Sequence, residues 1–371
     1  MKILVVFTYN YSLRTWKESG TLNKELKNYK LLTDKGIEFV FLTFDDPLQD
    51  EIKIVDDNIQ IISVFEKLTK SKFTLINYLK SFLIPFYFKN EFSNIDLIKQ
   101  NQLNGSWISI ILKFLLKKPL ITRTGYDMYE FSIKENKTTF VKALYKYLTL
   151  FTLKFSNLYT VSSVCDFNFL KNNFNFQYDK VGIRPNWVEK IEYYDFEKRL
   201  ENKIICIGRL VEQKNYEFII SEFQNTEYEI DLIGEGSLQK ELEKLAINLN
   251  TKVNFLGNLD NDEIMNLLPN YRYYLSASKF EGNPKSTLEA MSAGCIVFAS
   301  DIKNHKEIIM NEQNGFIFSL ERNSLFSFFI SKIERGDLKE ISISAKNSVY
   351  KNNSIEKLTN LEYEDYLSLT V

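Results

Sequence analysis

Two carboxylates, Glu281 and Glu289, lie on either side of a short polar stretch of the chain. Within it, Asn283 is a favoured helix cap and Pro284 suits the first helical position, so a helix is predicted to begin here. The next backbone amides would lack partners within the helix, and the helix dipole would favour an anion beside them. These amides belong to Lys285, Ser286 and Thr287. Two carboxylates beside an anion-binding turn suit a ligand with both phosphates and hydroxyls, such as a nucleotide sugar.

The elements that must position this stretch are predicted from the residues around it. Tyr273–Ala277 is apolar and aromatic enough for a buried strand, and Cys295–Ala299 has the pattern of a second strand. Gly294, just before that second strand, is placed to end the intervening helix. The polar stretch is therefore predicted to be the turn and the first helical turns of a strand–helix–strand unit.

Glycine and basic residues follow two earlier predicted strands. Gly208 and Arg209 come directly after an apolar run at 203–207, and Lys214 lies five residues beyond Arg209. A Gly-Glu-Gly at 234–236 follows another apolar run. Arginine offers a planar fork to phosphate oxygens and lysine a compact charge, so both side chains suit a diphosphate site.

This ordered set resembles a known enzyme family. The spacing of Glu281 and Glu289 resembles the E-x7-E motif of retaining GT-B glycosyltransferases, in the large family 4 or group 1 class. A Gly-Arg-Leu followed by Lys-Asn at 208–215, the Gly-Glu-Gly and a Glu-Ile-Ile at 307–309 extend the resemblance. It is dense from about residue 203 to residue 320 and thinner over 1–190.

An α/β fold is predicted, because strand and helix patterns alternate as they do in parallel doubly wound sheets. The resemblance further implies the GT-B architecture, in which two Rossmann-like doubly wound domains face each other across a cleft. It implies an N-terminal acceptor-binding domain at 1–188 and a C-terminal nucleotide-sugar-binding domain at 189–349. The last segment, 350–371, is expected to be a helix that crosses back to the first domain.

The resemblance also implies roles for individual residues. Arg209 and Lys214 would bind the donor diphosphate and Glu281 the transferred sugar, so these three are the expected catalytic residues. Glu289 would accept hydrogen bonds from the ribose. The base would lie near Leu256 and Gly257. The other expected donor contacts are Gly20, Gly208, Asn283, Pro284, Lys285, Ser286 and Thr287. Neither a metal nor another cofactor is expected, because positive side chains are placed to do a cation's work.

The first half of the chain departs from the family pattern at two places. In the family, a glycine-rich loop after the first strand closes over the diphosphate, whereas here only Gly20 remains. Many members carry a first-domain histidine near the donor sugar, but the sole histidine here, His305, lies in the second half and is expected on a helix surface. Arg123, Tyr126 and Asp127 follow a predicted strand. They would fill that space as acceptor or sugar contacts, or form an ordinary polar turn.

Composition indicates a globular chain whose charge is unevenly distributed. Of the 371 residues, 44% are hydrophobic, and 30 Phe and 21 Tyr give a high aromatic content. The formal net charge is −1, but residues 1–190 carry +8 and residues 191–371 carry −9. The basic first half predicts an anionic partner there, and ordinary solvated charge is the alternative.

Residues 66–92 combine five lysines with many aromatic and aliphatic side chains. This composition predicts an interfacial segment in peripheral contact with an anionic membrane, and the alternative is an amphipathic core helix with its lysines outward. Its most apolar part, Phe73–Phe88, is interrupted by Asn77, Lys80 and Pro85 and is too short to span a bilayer.

Three widely spaced cysteines, Cys165, Cys206 and Cys295, indicate free thiols in a reducing compartment. The first apolar stretch, Lys2–Thr8, is too short for a signal peptide. A cytoplasmic location is therefore expected, at the inner face of the membrane if the interfacial segment binds there. With one histidine and no close cysteine pair, a His/Cys metal site is not expected.

The predicted function is a metal-independent glycosyltransferase of the hexosyltransferase type. It would move a sugar from a nucleotide-sugar donor to a glycan or lipid-linked acceptor, with retention of configuration, in cell-surface polysaccharide synthesis. No nucleic acid partner is expected. Two alternatives stay open. One is a non-catalytic nucleotide-sugar-binding subunit of a transferase complex, which the missing histidine and thin glycine loop favour. The other is a nucleotide-sugar epimerase, a family that relies on several acidic and histidine residues around the sugar.

Overall fold

The computed structural model describes residues 1–47, 56–192 and 195–370 and divides the chain into two compact units. The first unit comprises Met1–Pro185 and Leu358–Val371, and the second comprises Asn186–Lys357. The sequence-based boundaries after residues 188 and 349 lie three and eight residues from these divisions. Each unit is built around its own parallel sheet, which confirms the predicted α/β fold class.

The sheet of the first unit has seven parallel strands. They are β1 Lys2–Val6, β2 Glu38–Thr43, β3 Ile59–Ser63, β4 Leu97–Asn101, β5 Leu120–Arg123, β6 Leu158–Val161 and β7 Val181–Ile183. Their order in space is β3-β2-β1-β4-β5-β6-β7. The apolar side chains of β1 from Ile3 to Val6 are fully buried, as expected for a central parallel strand that is covered on both faces.

In the part of the first unit that the structure describes, eight helices connect these strands. They are α1 Leu13–Glu18, α2 Leu22–Thr33, α3 Thr74–Ser81, α4 Ile84–Phe88, α5 Ser106–Leu116, α6 Met128–Lys134, α7 Thr139–Phe155 and α8 Val164–Asn173. The chain runs outward from β1 to β3 and then returns past β1 to β4. Because parallel crossovers are right-handed, the helices that follow β3 cover the face opposite to α2.

The sheet of the second unit has six parallel strands. They are β8 Leu200–Ile207, β9 Glu229–Ile233, β10 Lys252–Gly257, β11 Tyr271–Ser276, β12 Ile296–Ser300 and β13 Phe316–Phe318. Their spatial order is β10-β9-β8-β11-β12-β13, so the direction of winding reverses between β8 and β11. In such sheets, ligands bind outside the carboxyl ends of the strands at this reversal.

The described residues of the second unit form seven helices, and a last helix follows these seven. The seven are α9 Tyr216–Glu222, α10 Gln239–Asn248, α11 Asn261–Leu267, α12 Lys285–Ser292, α13 Lys303–Lys306, α14 Leu325–Ile333 and α15 Leu338–Asn353. The last is α16 Ile355–Thr370, and from Leu358 onward it belongs to the first unit. Short 3₁₀ helices lie at Val64–Glu66, Tyr178–Lys180, Phe196–Lys198, Glu212–Lys214 and Leu268–Asn270.

A buried ion pair holds α16 against the first sheet. Glu362 of α16 pairs with Lys99 of β4 and also accepts a hydrogen bond from Asn28 Nδ2 at 3.1 Å. Burial alone would raise the pKa of Glu362, but the charges of Lys99 and Arg123 outweigh it and lower that pKa to about 2. Tyr366, one turn further along, is fully buried in the same core. The end of the chain is therefore part of the first unit's core.

Three local predictions need correction or refinement. The sequence of Asn304–Met310 also predicts a strand that would help to complete the second sheet, and this prediction is wrong, because α13 lies there and β13 completes the sheet. His305 is not on a helix surface: it is fully buried, and its Nδ1 lies 2.9 Å from the carbonyl oxygen of Ser300. The segment 66–92 forms two short helices, α3 and α4, in place of one core helix.

A search for membrane-spanning helices among the described residues finds none that is long and apolar enough.

The Lys99–Glu362 pair yields a stability prediction. Glu362→Gln leaves the Lys99 ammonium buried without its counter-charge, so we expect the free energy of unfolding at neutral pH to fall by about 3–5 kcal/mol. The matched control is the double variant Lys99→Met/Glu362→Gln, which removes both charges and should recover most of that loss. Urea unfolding measures the difference, and equal unfolding midpoints for wild type and Glu362→Gln would contradict it.

The same pair predicts a pH dependence. Because the pKa of Glu362 is lower in the folded state, its contribution is present above its unfolded pKa and is lost as pH falls toward 2. Wild type should therefore lose more stability than the double variant between about pH 5 and pH 2.

Candidate active site

The loop between β11 and α12 carries Glu281, whose carboxylate is buried and hydrogen-bonded through one of its two oxygens. Glu281 Oε1 accepts hydrogen bonds from Lys214 Nζ at 2.6 Å and from Ser278 Oγ at 2.6 Å. Burial would raise the pKa of Glu281, but the Lys214 charge and these two hydrogen bonds outweigh it and lower the pKa below its usual value. Glu281 is therefore an ionised carboxylate held in a fixed orientation.

Neighbouring segments anchor this loop through its backbone. Gln213 Nε2 donates to the carbonyl of Phe280 at 2.8 Å, and Asn304 Nδ2 donates to the carbonyl of Gly282. Ser300 Oγ donates to the carbonyl of Ser278 at 2.6 Å. The loop is thus tied to the loop after β8 on one side and to the end of β12 on the other.

Asn283 does not cap α12, which corrects the sequence prediction. Its Oδ1 accepts from the backbone amide of Asn186 at 2.8 Å, and Asn186 Nδ2 donates to the carbonyl of Asn283 at 2.8 Å. Asn353 Nδ2 in turn donates to the carbonyl of Asn186 at 2.8 Å. The Asn283 side chain is therefore hydrogen-bonded to Asn186 in a reciprocal pair. This contact explains why the side chain does not cap α12.

The helix α12 begins one residue later than predicted, so Pro284 occupies the cap position. The hydroxyl of Tyr274 in β11 donates to Ser286 Oγ at 3.0 Å and lies 3.4 Å from Thr287 Oγ1. These contacts fix the first turn of the helix to the strand beneath it, while Lys285 is exposed. Gly294 adopts a left-handed conformation with φ of 77° just after the helix, as predicted for its end.

Glu289 lies on the buried side of α12, with only 5% of its surface exposed. Its Oε1 accepts a hydrogen bond from Asn261 Nδ2 of α11 at 2.9 Å. Because it is buried, Glu289 differs from an ordinary glutamate on the exposed side of a helix. It is oriented by a neighbouring helix.

The turn after β8 is built by backbone packed directly on backbone. A Cβ at Gly234 would lie 2.2 Å from the carbonyl oxygen of Gly208, and one at Gly236 would lie 2.4 Å from that of Leu210. The amide of Leu210 donates to the carbonyl of Glu235 at 2.9 Å. Larger residues at 234 and 236 would push these turns apart, so the Gly-Glu-Gly sets the position of the Gly208–Leu210 turn.

Arg209 and Lys214 leave this turn with different surroundings. Arg209 is exposed, and its side chain has no hydrogen bond or ion pair with any residue that the structure describes. Lys214 is largely buried, with 16% of its side chain exposed, and it forms the ion pair with Glu281. Since β8 and β11 are neighbours, Lys214 and Glu281 meet at the winding reversal of the second sheet.

The residues expected near a base lie at the end of β10, which is separated from β11 by the two strands β9 and β8. Leu256 is 40% exposed, and Gly257 has a φ of 70°. The carbonyl of Gly257 accepts from the amide of Gly234 at 2.7 Å. This bond links the turn after β9 to the end of β10, at the carboxyl edge of the sheet.

The remaining candidate residues belong to the first unit, and two of them are poorly placed for ligand contact. Gly20, with a φ of 68°, ends α1 and does not lie in the loop directly after β1. Asp127 is buried and caps α6 through the amide of Glu130 at 2.8 Å, and burial raises its pKa to about 6. Tyr126 is 38% exposed, with its ring centroid 4.5 Å from that of Phe131. Arg123 ends β5 and is partly exposed.

Several positioning residues were missed by the sequence analysis. Ser278, Gln213 and Asn304 hold the Glu281 loop, and Asn261 holds Glu289. Asn186, which pairs with Asn283, is another of them. Apart from the Ser278–Glu281 bond, which spans three residues, these contacts join residues at least 22 positions apart in sequence, so no local pattern could have revealed them. Within 1–47, 56–192 and 195–370, no group of three or more His, Cys, Asp or Glu side chains is arranged to hold a metal ion.

Part of the chain matches a known protein family. Residues 194–340 match the family model described as glycosyl transferases group 1. The chain carries a glycosyltransferase group 1 domain. The matched range includes Arg209, Lys214, Glu281 and Glu289, so the whole set of second-unit candidate residues lies within that domain.

One curated relative and two solved structures illustrate the similarity. The relative is the UDP-Gal:alpha-D-GlcNAc-diphosphoundecaprenol alpha-1,3-galactosyltransferase of Escherichia coli, 24% identical over 352 residues, covering 89% of this chain and 88% of the relative. Anabaena HepE, solved with UDP and glucose, has a TM-score of 0.76 at 16% identity, with full coverage of both chains. Sucrose-phosphate synthase from Thermosynechococcus elongatus has a TM-score of 0.79 at 14% identity, covering 100% of this chain and 99% of that one. The two parallel-sheet domains match GT-B structures, which confirms the predicted fold.

Proposed function

We propose that this protein is a retaining GT-B glycosyltransferase of family 4 that takes its sugar from a nucleotide-sugar donor. The observation that carries the proposal is the Lys214–Glu281 ion pair, which joins the loops after β8 and β11 at the winding reversal. The exposed Arg209 guanidinium leaves the same β8 turn. A charged donor is the kind of ligand that such an edge binds.

The diphosphate is assigned to the positive groups of this edge. Arg209 supplies a guanidinium without a protein partner among the described residues, and a guanidinium can bind two phosphate oxygens at once. Lys214 has three donor hydrogens, so its ammonium can stay bound to Glu281 and still donate to a phosphate oxygen. The start of α12, beside Lys285, adds the positive end of a helix dipole.

The two carboxylates are assigned to hydroxyl groups of the donor. Glu289 is held in place by Asn261 and would accept hydrogen bonds from the ribose. Glu281, kept ionised by Lys214, would accept hydrogen bonds from the transferred sugar. Gly208, Leu256 and Gly257 would then border the nucleoside. Gly20 and Asp127 are left out of the proposed site because the structure gives both of them local structural roles.

The chemical barrier is departure of the nucleoside diphosphate while positive charge grows on the sugar. Preorganised donors that face the leaving oxygens lower this barrier, by about 3–4 kcal/mol for a key donor. Arg209 and Lys214 are proposed for this role. Retention of configuration rests on the Glu281–Glu289 spacing that resembles the retaining family.

Metal independence is part of the proposal, because Arg209, Lys214 and the α12 amides supply the positive charge that a divalent cation would otherwise bring to the diphosphate. We expect turnover to be unchanged within about twofold by EDTA. Rates of nucleoside diphosphate release with EDTA, magnesium or manganese test this expectation. Loss of turnover in EDTA that magnesium or manganese restores would overturn it.

The proposed acceptor is a glycan or a lipid-linked saccharide in cell-surface polysaccharide synthesis. The Escherichia coli relative acts, by its name, on a sugar carried by diphosphoundecaprenol, which supports a lipid-linked acceptor. We place the acceptor in the first unit, with Arg123 and Tyr126 as candidate contacts. Cys206 and Cys295 are fully buried free thiols, which supports a reducing, cytoplasmic location.

Release of the nucleotide from a panel of donors tests the function: UDP, GDP and ADP sugars release a nucleoside diphosphate, and CMP sugars release CMP. Slow donor hydrolysis supports a transferase. Interconversion of the sugars would identify an epimerase, and tight binding without turnover would identify a binding subunit. Either of these last two outcomes would overturn the proposal.

Substitutions at the site should affect different kinetic constants. Arg209→Ala removes charge that matters most as the diphosphate leaves, so turnover should fall about 10²–10³-fold with a smaller effect on donor affinity. Glu289→Gln weakens a ribose contact that is similar in ground and transition states, so mainly KM should rise. Steady-state kinetics separate the two effects. Full turnover in a folded Arg209→Ala protein would show that the proposed site is wrong.

Two matched variants serve as controls. Lys240→Ala removes an exposed lysine from α10 in the same unit and should leave kcat and KM unchanged. Lys214→Ala leaves Glu281 buried without its counter-charge, so it should be compared with Lys214→Ala/Glu281→Gln in thermal unfolding. A turnover defect that persists in a double variant of normal stability assigns the loss to chemistry.

A further inference from the structure

Exposed apolar side chains are concentrated on one group of helices in the first unit. Of the 26 large hydrophobic residues exposed among the described residues, fifteen lie on or directly beside α3, α4, α5 and α7. Phe140 is 77% exposed and Phe73 69% exposed. Soluble proteins rarely leave so many large apolar groups together on the surface unless something covers them.

These helices are neighbours in one layer. All of them follow β3 in the chain, so they cover the same face of the first sheet. Trp107 of α5 stacks on Phe82, between α3 and α4, with ring centroids 5.6 Å apart. At the other end of α5, Phe114 meets Phe155 of α7 with centroids 5.4 Å apart. Thr152 Oγ1 of α7 and Ser106 Oγ of α5 lie 2.9 Å apart. The exposed groups therefore lie on adjacent helices.

All charged side chains within these helices are positive. The segments 67–90, 106–118 and 138–155 contain eleven lysines and no aspartate or glutamate. Glu66 and Glu91 lie at the borders of the first segment, and Glu91 is paired with Lys67. Lys113 donates to the carbonyl of Phe155 at 2.6 Å, and burial lowers its pKa. We call the exposed sides of these three segments the lysine-aromatic face.

We propose that the lysine-aromatic face is a docking surface for an anionic phospholipid bilayer. Aromatic and aliphatic side chains would enter the headgroup region, while the lysines around them contact lipid phosphates. Long lysine stems can lie on apolar surface and keep their ammonium groups in the polar layer.

Charge complementarity favours a lipid surface over a second copy of this chain. A symmetric dimer through this face would place eleven lysines opposite eleven lysines, with no carboxylate inside the three segments to pair with them. An anionic bilayer presents the opposite charge across the whole face. This inference goes beyond the proposed transferase function and does not depend on it.

Vesicle flotation of the full chain tests the proposal. The vesicles are phosphatidylcholine alone, or phosphatidylcholine mixed with phosphatidylglycerol, at low and high salt. We expect recovery on the mixed vesicles, little on the neutral ones, and weaker binding at high salt because salt screens the lysine charges. Equal recovery on both kinds of vesicle, or none on either, would overturn the proposal.

Paired variants separate the charge contribution from the apolar one. Lys72→Gln/Lys89→Gln should weaken partitioning about fivefold for each lysine removed, and the matched control Lys240→Gln/Lys244→Gln on α10 should not. Phe140→Ser/Tyr147→Ser should weaken binding to mixed vesicles even at low salt, whereas Ile247→Ser, which alters a residue 80% exposed on α10, should not. Wild-type thermal midpoints would show that the variants are folded.

Two further readouts close the test. Donor hydrolysis without vesicles should be equal in wild type and the face variants, so a failed membrane proposal is distinguishable from a failed transferase proposal. Analytical ultracentrifugation tests whether a second copy of this chain binds the lysine-aromatic face instead. A dimer that Phe140→Ser/Tyr147→Ser dissociates, in a protein that does not float with mixed vesicles, would assign the face to a second copy and overturn the proposal.

Discussion

The proposed site depends on the ion pair between Lys214 and Glu281. Each partner is largely buried, so either charge alone would be costly in this position. Together, and with the hydroxyl of Ser278, they form a satisfied polar cluster at the edge where β8 and β11 meet. The pair therefore fixes two loops relative to each other and keeps Glu281 ionised. It also leaves Lys214 two hydrogens with which to meet an incoming anion.

Rigid backbone contacts support that pair from both sides. The close approach of Gly234 to Gly208 sets the turn from which Arg209 and Lys214 emerge. On the other side, the reciprocal amide pair of Asn186 and Asn283 holds the loop that carries Glu281. A site held in this way pays little reorganisation when a donor binds, which is the condition under which fixed charges act most strongly on a transition state.

The sequence reveals the parts of this site that depend on local order, and misses those that depend on distant contacts. The winding of both sheets follows from alternating apolar strands and helices, and Glu281 and Glu289 are recognisable from their spacing. The strand predicted at Asn304–Met310 is wrong because the short helix α13 occupies its first residues, with His305 buried against the end of β12. Asn283 favours a cap by its residue type, but a stronger paired contact from Asn186 takes its side chain. Such competition between local preference and tertiary contact is invisible without the fold.

A structure of the protein in complex with an intact nucleotide sugar tests the central claim most directly. The account predicts diphosphate oxygens within hydrogen-bond distance of the Arg209 guanidinium and of Lys214 Nζ, with Lys214 still bound to Glu281. It also predicts a ribose hydroxyl on Glu289. A donor bound elsewhere in the second unit, or a diphosphate that touches neither Arg209 nor Lys214, would contradict the account.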